Sequence, residues 1–316
     1  MIRFENISLK YNNNYVIENL NLTIDDNDFL VIVGPSGCGK TSLVKMLAGL
    51  IKPTSGNIYI NDLLVNDIEP YKRDIAFMQQ NSKSYPHMNV FDNIAFGLEA
   101  IKMDKNTIKN KVEEIAEMLS IKPYLDRLPN KLSGGEQQRL NLARALVLDK
   151  KIVILDEPLS NIDAKLKTDM RFDIKRLHEY KKCTTIYITH DQEEAMSLAT
   201  KIVLMKDGKI VQVGSPKEIY DNPINMFSAN FIGKMNFIKK DNYYLGFRPS
   251  DVSLNGDILV KIIGEELYGK NKNVFALMDN ERIEFLVDAN TSLEKEEKIK
   301  INKEYIFDFD TKMRKE

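Results

Sequence analysis

The chain has 316 residues, enough for one large domain and a smaller one that each bury a hydrophobic core. Hydrophobic residues make up 43% and charged residues 29% of the sequence, which excludes global disorder. The formal net charge of −1 argues against a strongly basic nucleic-acid-binding protein, although a local basic patch stays open. Two cysteines, Cys38 and Cys183, are too few and too scattered for a disulfide framework or a zinc site, and they fit a reducing compartment.

The apolar runs of the chain are short. Phe29 to Val33 and Ile152 to Leu155 are far below the roughly 20 residues that a helix needs to cross a bilayer. The N-terminus from Met1 enters an alternating pattern at once and offers no apolar core of the kind found in signal peptides. We therefore expect that the chain, if it functions at a membrane, is bound there peripherally, through partner proteins.

The first third of the chain predicts strands that lead to a glycine-rich turn. Apolar residues alternate loosely from Ile2 to Leu9 and with a clearer period of two from Ile17 to Ile24. Phe29 to Val33 is continuously apolar, as expected for a buried parallel strand, and the run stops at Gly34. A pattern with helical spacing follows directly.

Helices are predicted between Tyr85 and Leu132, where Val90 to Leu98 and Ile108 to Leu119 have apolar residues at helical spacing. Strands and helices then alternate, with strands at Ile152 to Leu155, Thr184 to Thr189 and Lys201 to Met205. Such alternation predicts a mostly parallel sheet that is covered on both faces by helices.

After about residue 235 the pattern changes to short β-rich pieces, at Val274 to Met278, Ile283 to Val287 and Tyr305 to Phe309. The charged stretch Lys295 to Lys300 is interpreted as a solvated loop. We predict an α/β domain over residues 1–235 and a small all-β domain over residues 236–316.

A phosphate-binding loop is predicted from Gly34 to Thr41, which fits G-x-x-x-x-G-K-[ST] at every defined position, between a buried strand and a helix. The glycines allow backbone N–H groups to point at phosphate oxygens, and the helix N-terminus adds positive potential. Lys40 is expected to reach the β- and γ-phosphates, and Thr41 to give its hydroxyl to Mg²⁺. The predicted nucleotide-binding residues here are Gly34, Pro35, Ser36, Gly37, Cys38, Gly39, Lys40, Thr41 and Ser42, with the Cys38 side chain pointing away from the nucleotide.

This loop alone predicts a nucleoside triphosphate and leaves ATPase, GTPase and kinase open. The strand Ile152 to Leu155 adds two carboxylates, Asp156 and Glu157, at its C-terminal end, the edge at which open α/β sheets bind ligands. Asp156 is a predicted Mg²⁺ ligand, and Glu157 is placed to polarise an attacking water.

The segment Leu132-Ser133-Gly134-Gly135-Glu136-Gln137-Gln138-Arg139 narrows the class, because it resembles the signature motif of ABC transporter ATPases, usually Leu-Ser-Gly-Gly-Gln. The resemblance implies that Ser133, Gly135 and Glu136 of one subunit face the γ-phosphate of ATP bound to the other. Ser133 is a suitable helix N-cap and the glycines permit close backbone approach. Glu136 departs from the usual glutamine, which leaves the role of that side chain open.

Other landmarks of the family appear in order. Gln80 resembles the Q-loop glutamine that approaches Mg²⁺ and the attacking water, with Gln79 as the less favoured neighbour. Ser160-Asn161-Ile162-Asp163 resembles the D-loop at the dimer interface, so Asp163 is included among the nucleotide-site residues. His190 resembles the switch histidine on the γ-phosphate, and Tyr11 the aromatic residue that stacks on adenine.

The resemblance implies a P-loop ABC ATPase domain with a helical subdomain at about residues 85–132, and a C-terminal OB-like β-barrel. The implied cofactors are ATP and Mg²⁺. The implied partners are a second ATPase subunit, with a homodimer favoured, polytopic permease subunits and, indirectly, an extracytoplasmic solute-binding protein; no nucleic acid is expected. The implied location is the cytoplasmic face of the cell membrane, as a peripheral subunit.

Several segments favour the ATPases of carbohydrate importers of the maltose and glycerol-phosphate type: Asp163 to Leu166, Tyr187 to Gln192, Leu245-Gly246-Phe247-Arg248-Pro249 and Asp308-Phe309-Asp310. Polyamine and metal-ion importer ATPases share much of this pattern, including Asp191 to Ala195, and stay the alternative. A soluble ABC ATPase of DNA repair or translation is less favoured, because the chain has neither long coiled-coil inserts nor a second cassette. A P-loop kinase is disfavoured by the signature motif and by Glu157 after Asp156.

Overall fold

The protein is described by a computed structural model over residues 1–80, 82–160 and 162–315. The chain forms two compact units, Met1–Pro216 and Lys217–Glu316. The second unit therefore begins earlier in the chain than residue 236, where the all-β domain is predicted to start.

The elements of the first unit are, in chain order, β1 (Ile2–Tyr11), β2 (Asn14–Ile24), β3 (Phe29–Val33), α1 (Lys40–Leu47), β4 (Ser55–Ile60), β5 (Leu63–Leu64), β6 (Ile75–Met78), α2 (Val90–Ala100), α3 (Lys105–Met118), α4 (Gly134–Leu146), β7 (Ile152–Asp156), α5 (Ala164–Lys181), β8 (Thr184–Thr189), α6 (Gln192–Leu198), β9 (Lys201–Lys206) and β10 (Lys209–Gly214). Short 3-10 turns lie at Pro70–Lys72, Lys122–Tyr124 and Pro129–Lys131.

A four-stranded antiparallel sheet with the order β2-β1-β4-β5 forms one layer of this unit. Strands β1 and β2 form a hairpin in which Tyr11 pairs with Asn14. The two loop residues, Asn12 and Asn13, have φ of 44° and 67°, the left-handed values that a tight hairpin turn of this kind requires. The hairpin thus places Tyr11 at the tip of the sheet.

The central sheet has six strands in the order β10-β9-β3-β8-β7-β6. All neighbouring strands from β9 to β6 are parallel, and β10 pairs antiparallel with β9 at one edge. Every residue of β3, β7 and β8 is buried. The continuous apolar runs of β3 and β7 predict this burial, whereas β8 also buries three threonines, Thr184, Thr185 and Thr189. Since the parallel strands end at one edge of the sheet, the segments that follow β3, β6, β7 and β8 are brought close together.

The helices predicted between Tyr85 and Leu132 are α2 and α3. Each begins at a polar residue whose side chain accepts a hydrogen bond from a backbone N–H group of the first turn: Asn89 for α2 and Asp104 for α3. Asn93 of α2 is buried and donates to three backbone carbonyls, of Tyr85, Met88 and Asn89. These bonds hold the segment that connects β6 to the helices.

Helix α7 (Pro216–Asp221) begins at the last residue of the first unit and otherwise belongs to the second. The other elements of the second unit are α8 (Met226–Phe231), β11 (Asn236–Lys239), β12 (Tyr243–Phe247), a 3-10 turn at Pro249–Asp251, β13 (Val252–Tyr268), β14 (Asn271–Met278), β15 (Glu281–Asp288), β16 (Glu296–Ile301) and β17 (Tyr305–Asp308). The strands form two antiparallel sheets, β11-β12-β17 and β15-β14-β13-β16. Residues of both sheets share one apolar core, for example Phe247 and Phe285.

A buried arginine explains why the residues just before β11 belong to this unit. Arg248 is 1% exposed, and its guanidinium donates to five backbone carbonyls, of Tyr220, Ala229, Ile232, Gly233 and Lys234. It also lies over the Tyr220 ring, 4.0 Å from the ring centroid. Burial without such partners would be costly, so these bonds fix the helical segment against the β-sheets.

The interpretation of Lys295 to Lys300 as a solvated loop is wrong. Strand β16 covers most of this stretch and pairs with β13. Ile299 is fully buried between the exposed residues Lys298 and Lys300. The alternation of lysine and isoleucine is a strand pattern with one buried face, which the high local charge obscured.

Across the described ranges, none of the helices is both long and apolar enough to span a membrane.

Candidate active site

The phosphate loop lies between β3 and α1 and depends on its glycines. Gly39 directly precedes α1 with φ of 101°, a left-handed value that favours glycine. A Cβ atom on Gly34 would lie 2.1 Å from the carbonyl oxygen of Met205, so a side chain is excluded there by contact with β9. The loop can therefore turn tightly out of the buried strand and aim backbone N–H groups toward one point.

Lys40 is the first residue of α1, and its side chain folds back over the loop. It is 6% exposed, and its Nζ donates to the carbonyl oxygens of Gly34 and Pro35, both at 2.8 Å. These bonds hold the ammonium group in the concave side of the loop. A fixed cation at that point is suited to phosphate oxygens.

Asp156 lies at the end of β7, where it accepts a hydrogen bond of 3.1 Å from the Thr41 hydroxyl. The side chain is almost completely buried. Burial raises the pKa of Asp156 and the charge of Glu157 raises it further, whereas the bond from Thr41 opposes the shift. The carboxylate and hydroxyl form a pair of adjacent oxygen donors.

Glu157 adopts a left-handed backbone conformation, with φ of 48°, which is uncommon for a residue with a side chain. Its N–H donates to the Ile188 carbonyl at the end of β8, at 3.0 Å. Its carboxylate accepts a hydrogen bond of 2.7 Å from the Gln80 Nε2 and lies 3.3 Å from Nδ1 of His190. Three segments that follow β6, β7 and β8 thus converge on one carboxylate.

Most of these groups, but not Asp156, line one cavity of about 370 Å³, whose wall consists of Val16, Ser36, Gly37, Gly39, Lys40, Thr41, Ser42, Gln80, Glu157 and His190. The structure therefore brings the predicted phosphate loop together with Gln80, Glu157 and His190. Val16 was not predicted. The available signal was its position in β2, shortly after the hairpin turn that follows Tyr11.

Besides the signature and D-loop residues, five of the predicted site residues are not part of this wall: Tyr11, Gly34, Pro35, Cys38 and Asp156. Tyr11 is half-exposed at the hairpin tip. Cys38 is buried, its Sγ lies 3.9 Å from Nζ of Lys40, and burial raises the pKa of its thiol. A buried and protonated thiol is consistent with a small residue that packs beneath the loop.

The signature segment begins α4 with a reciprocal pair of hydrogen bonds. Ser133 Oγ accepts from the Glu136 N–H at 3.3 Å, and the Ser133 N–H donates to the Glu136 carboxylate at 2.8 Å. The bond from the Ser133 backbone is the main reason why the pKa of Glu136 is lowered. Glutamate at this position thus completes a capping box, in which glutamate and glutamine are both suitable.

Within the described part of the chain, the second set of predicted nucleotide residues lies outside the cavity wall: Ser133, Gly135, Glu136 and Asp163. Ser133 and Gly134 are exposed to solvent. Asp163 caps α5 by accepting from the Leu166 N–H at 3.0 Å. Asn161 of the predicted D-loop lies outside the described residues.

The oxygen donors beside the loop are few. Over residues 1–80, 82–160 and 162–315, no cluster of three or more His, Cys, Asp or Glu side chains is arranged to hold a metal ion. Thr41 and Asp156 supply neighbouring hydroxyl and carboxylate oxygens, with the Gln80 amide near Glu157. Such a sparse oxygen set fits Mg²⁺, which keeps several waters and binds phosphates in addition to one or two protein ligands.

A phosphate loop at a helix start, with carboxylates, a glutamine and a histidine at the carboxyl edge of a parallel sheet, defines the class of P-loop nucleoside triphosphatases. The family model described as "ABC transporter" matches residues 17–160. Together with relatives above 40% identity whose matches cover 80% or more of this chain, this match shows that the chain belongs to the ABC transporter family, as an ATP-binding and ATP-hydrolysing subunit.

The relatives include the oligosaccharides import ATP-binding protein MsmX of Bacillus subtilis, with 41% identity over 94% of both chains. The sn-glycerol-3-phosphate import ATP-binding protein UgpC of Bartonella bacilliformis is 46% identical, over 80% of this chain and 79% of its own. The Fe(3+) ions import ATP-binding protein FbpC of Fusobacterium nucleatum is 42% identical, over 92% and 76%. The predicted resemblance to carbohydrate-importer ATPases is confirmed.

Among solved structures, the fold matches the ATP-binding cassette MJ0796, described as a dimer in a post-hydrolysis state with ADP and Pi. The TM-score is 0.62 at 29% identity, and the match covers 68% of this chain and 98% of that one. The predicted ABC ATPase fold of the first unit is therefore confirmed.

Proposed function

We propose that the protein drives the import of a sugar or sugar derivative, with two copies closing around ATP. The observation that carries the catalytic part is the convergence of Gln80 and His190 on the Glu157 carboxylate beside the phosphate loop. The substrate class is supported by relatives named for oligosaccharides, sn-glycerol-3-phosphate and maltodextrin. The relative named for Fe(3+) keeps a metal-ion importer as the second candidate.

In this proposal Glu157 accepts a proton from the attacking water. Gln80 and His190 fix its carboxylate, and the left-handed turn aims it into the cavity. Lys40 stabilises the charge on the β- and γ-phosphates. Thr41, Asp156 and Gln80 would hold Mg²⁺, which when bound neutralises charge on the same phosphates.

The two sets of nucleotide residues then belong to two copies of the chain. The cavity set binds ATP, and the exposed Ser133 turn of the second copy covers its γ-phosphate with hydroxyl and backbone N–H donors. Hydrolysis removes the phosphate that joins the copies. A ligand that contacts both halves favours the closed state over the open one, which is what a switch requires.

The remaining parts of the proposal concern partners and location. We infer that permease subunits bind the helical subdomain, that a solute-binding protein acts through them, and that the chain works at the cytoplasmic face of the membrane. The second unit is proposed to be an OB-like accessory domain, supported by its two antiparallel sheets around one core.

Glu157→Gln tests the catalytic assignment. The amide keeps the size of the side chain but cannot accept the proton, so we expect ATP binding within about twofold of wild type and turnover reduced by about 10³-fold. ATP binding is measured by equilibrium titration and turnover by phosphate release. Turnover near the wild-type rate would contradict the role of Glu157.

The substrate class is tested by transport. A strain that lacks this gene is complemented with the wild-type chain or with Glu157→Gln, and uptake of labelled oligosaccharides, glycerol phosphate and Fe³⁺ is measured. We expect sugar-derivative uptake with the wild-type chain only. Restoration of Fe³⁺ uptake instead would favour the second candidate.

A further inference from the structure

Helix α4 connects the exposed signature turn to the interior of the first unit. It begins at Gly134, after Ser133, and Gln138 lies in its second turn. The Nε2 of Gln138 donates a hydrogen bond to the carbonyl oxygen of Pro158. Pro158 directly follows Glu157, so α4 contacts the turn that carries the proposed base.

That turn needs support, because Glu157 is held in a left-handed conformation. On one side the Glu157 N–H is bound to the Ile188 carbonyl, and the turn closes by a bond of 3.2 Å from the Ser160 N–H to the Glu157 carbonyl. On the side that faces α4, the Gln138 amide donates to the carbonyl oxygen of Pro158. The peptide group of Pro158 is therefore oriented by a side chain from a different element.

We propose that Gln138 is a positioning residue for catalysis: its amide orients the Pro158 peptide and so aims the Glu157 carboxylate of the same copy. The inference rests on the proposed role of Glu157 and on the proposed dimer. Loss of the donor leaves the phosphate loop intact, so ATP still binds. A small misplacement of a catalytic group has a large effect on the rate.

The neighbouring glutamine provides a matched control. Gln137 also uses its Nε2 to bind backbone carbonyls, but these belong to Pro129 and Leu132, before the helix, at 3.2 Å. Gln137→Glu removes an equivalent amide donor from the same helix without touching the Glu157 turn. Comparison of the two variants separates the contact with Pro158 from a general effect on α4.

The test uses dimers of the full-length chain in which only one site can turn over. A silenced copy carries Glu157→Gln, and a live copy keeps Glu157; the two are tagged differently and purified as the mixed dimer. In this dimer the live Glu157 faces the Ser133 turn of the silenced copy. Gln138→Glu is then placed either in the live copy or in the silenced copy.

We expect Gln138→Glu in the live copy to lower kcat by about tenfold, with KM for ATP unchanged. In the silenced copy it leaves kcat unchanged, because the contact acts within one chain. Gln137→Glu in the live copy leaves kcat unchanged. Gln138→Lys, which restores an N–H donor of similar reach, recovers most of the rate in the live copy.

Unchanged kcat with Gln138→Glu in the live copy would overturn the inference. An equal fall in both placements would overturn it too, since that would indicate a damaged signature helix. If Gln138→Glu does not fold, Gln138→Met is used in the same two placements with the same expected results. Failure of the underlying function is seen separately, as residual turnover of the Glu157→Gln homodimer or as absence of an ATP-dependent dimer.

Discussion

Glu136 is the residue at which the signature segment departs from its usual form, and its contacts explain why the change is compatible with the fold. The carboxylate takes the bond from the Ser133 N–H that a glutamine carbonyl would also accept. The helix start, which has no other acidic residue in its first turn, gains a negative charge near its positive end.

We expect Glu136→Gln to preserve the capping box and Glu136→Ala to lose the return bond, lowering the free energy of unfolding by about 0.5–1 kcal/mol at pH 7. The measurement is urea unfolding of the full chain, followed by a signal of the first unit. An equal loss in both variants would contradict the reciprocal bonding.

The difference in stability between the wild-type protein and Glu136→Ala is expected to depend on pH. The pKa of Glu136 is lowered in the folded state, so its carboxylate contributes stability above its unfolded pKa, about 4.3. That contribution is lost as the pH falls through the lowered pKa. The stability difference between Glu136 and Glu136→Ala is therefore expected to shrink below about pH 4, while that between Glu136→Gln and Glu136→Ala does not change.

The sequence predicts the place of some residues in the candidate site better than that of others. Lys40, Thr41, Asp156 and Glu157 fall in motifs with fixed spacing, and the structure brings them to one edge of the sheet. Val16 does not belong to a recognisable motif. It forms part of the cavity wall because β2 contacts the phosphate loop at Gly39, and this contact could not be predicted from the sequence. Pairing between distant segments leaves no local pattern.

At the scale of elements, β3 and β7 were predictable because their apolar runs have strand length and end in polar motifs. β3, β7 and β8 lie where the sequence predicts them. The misinterpreted β16 has only two isoleucines on its buried face, among lysine and glutamate. Its strand conformation depends on pairing with β13, which local charge does not reveal.

Ile299 tests this account of β16. We expect Ile299→Ala to lower the free energy of unfolding of the second unit by about 2–5 kcal/mol, because it removes buried methyl groups from the core shared by the two sheets. Lys300→Ala, one position along on the exposed face, is expected to change it by less than about 0.5 kcal/mol. Denaturant unfolding with a probe in the second unit measures both, and similar effects would contradict the buried face.

At the scale of the whole molecule, the first unit presents the predicted nucleotide-site residues in two places. One set surrounds a cavity at the sheet edge, and the other lies at the exposed start of α4, outside the cavity wall as far as the described residues extend. The resemblance of the motifs implies both sets and their division between two subunits, and the topology of sheet and helices accounts for their separation within one chain. Two copies, each supplying one set, would complete two sites.

Paired variants distinguish such shared sites from sites contained in single chains. Lys40→Ala removes the phosphate cation from the cavity, and Ser133→Ala removes the hydroxyl from the α4 turn. Mixed dimers are prepared in two forms. In the first, one copy carries Lys40→Ala and the other Ser133→Ala; in the second, one copy carries both changes and the other is wild type.

If the sites are shared, the first form keeps one intact site, since the copy with Ser133→Ala supplies Lys40 and the copy with Lys40→Ala supplies Ser133. It should then retain about half of the wild-type ATPase rate, if the sites act independently, while the second form has no intact site and falls to a few per cent of that rate. Sites contained in single chains require the opposite order, because only the second form would then include an unaltered chain. The order of the two rates, measured by phosphate release at saturating ATP, therefore decides between the arrangements even when neither variant is completely inactive.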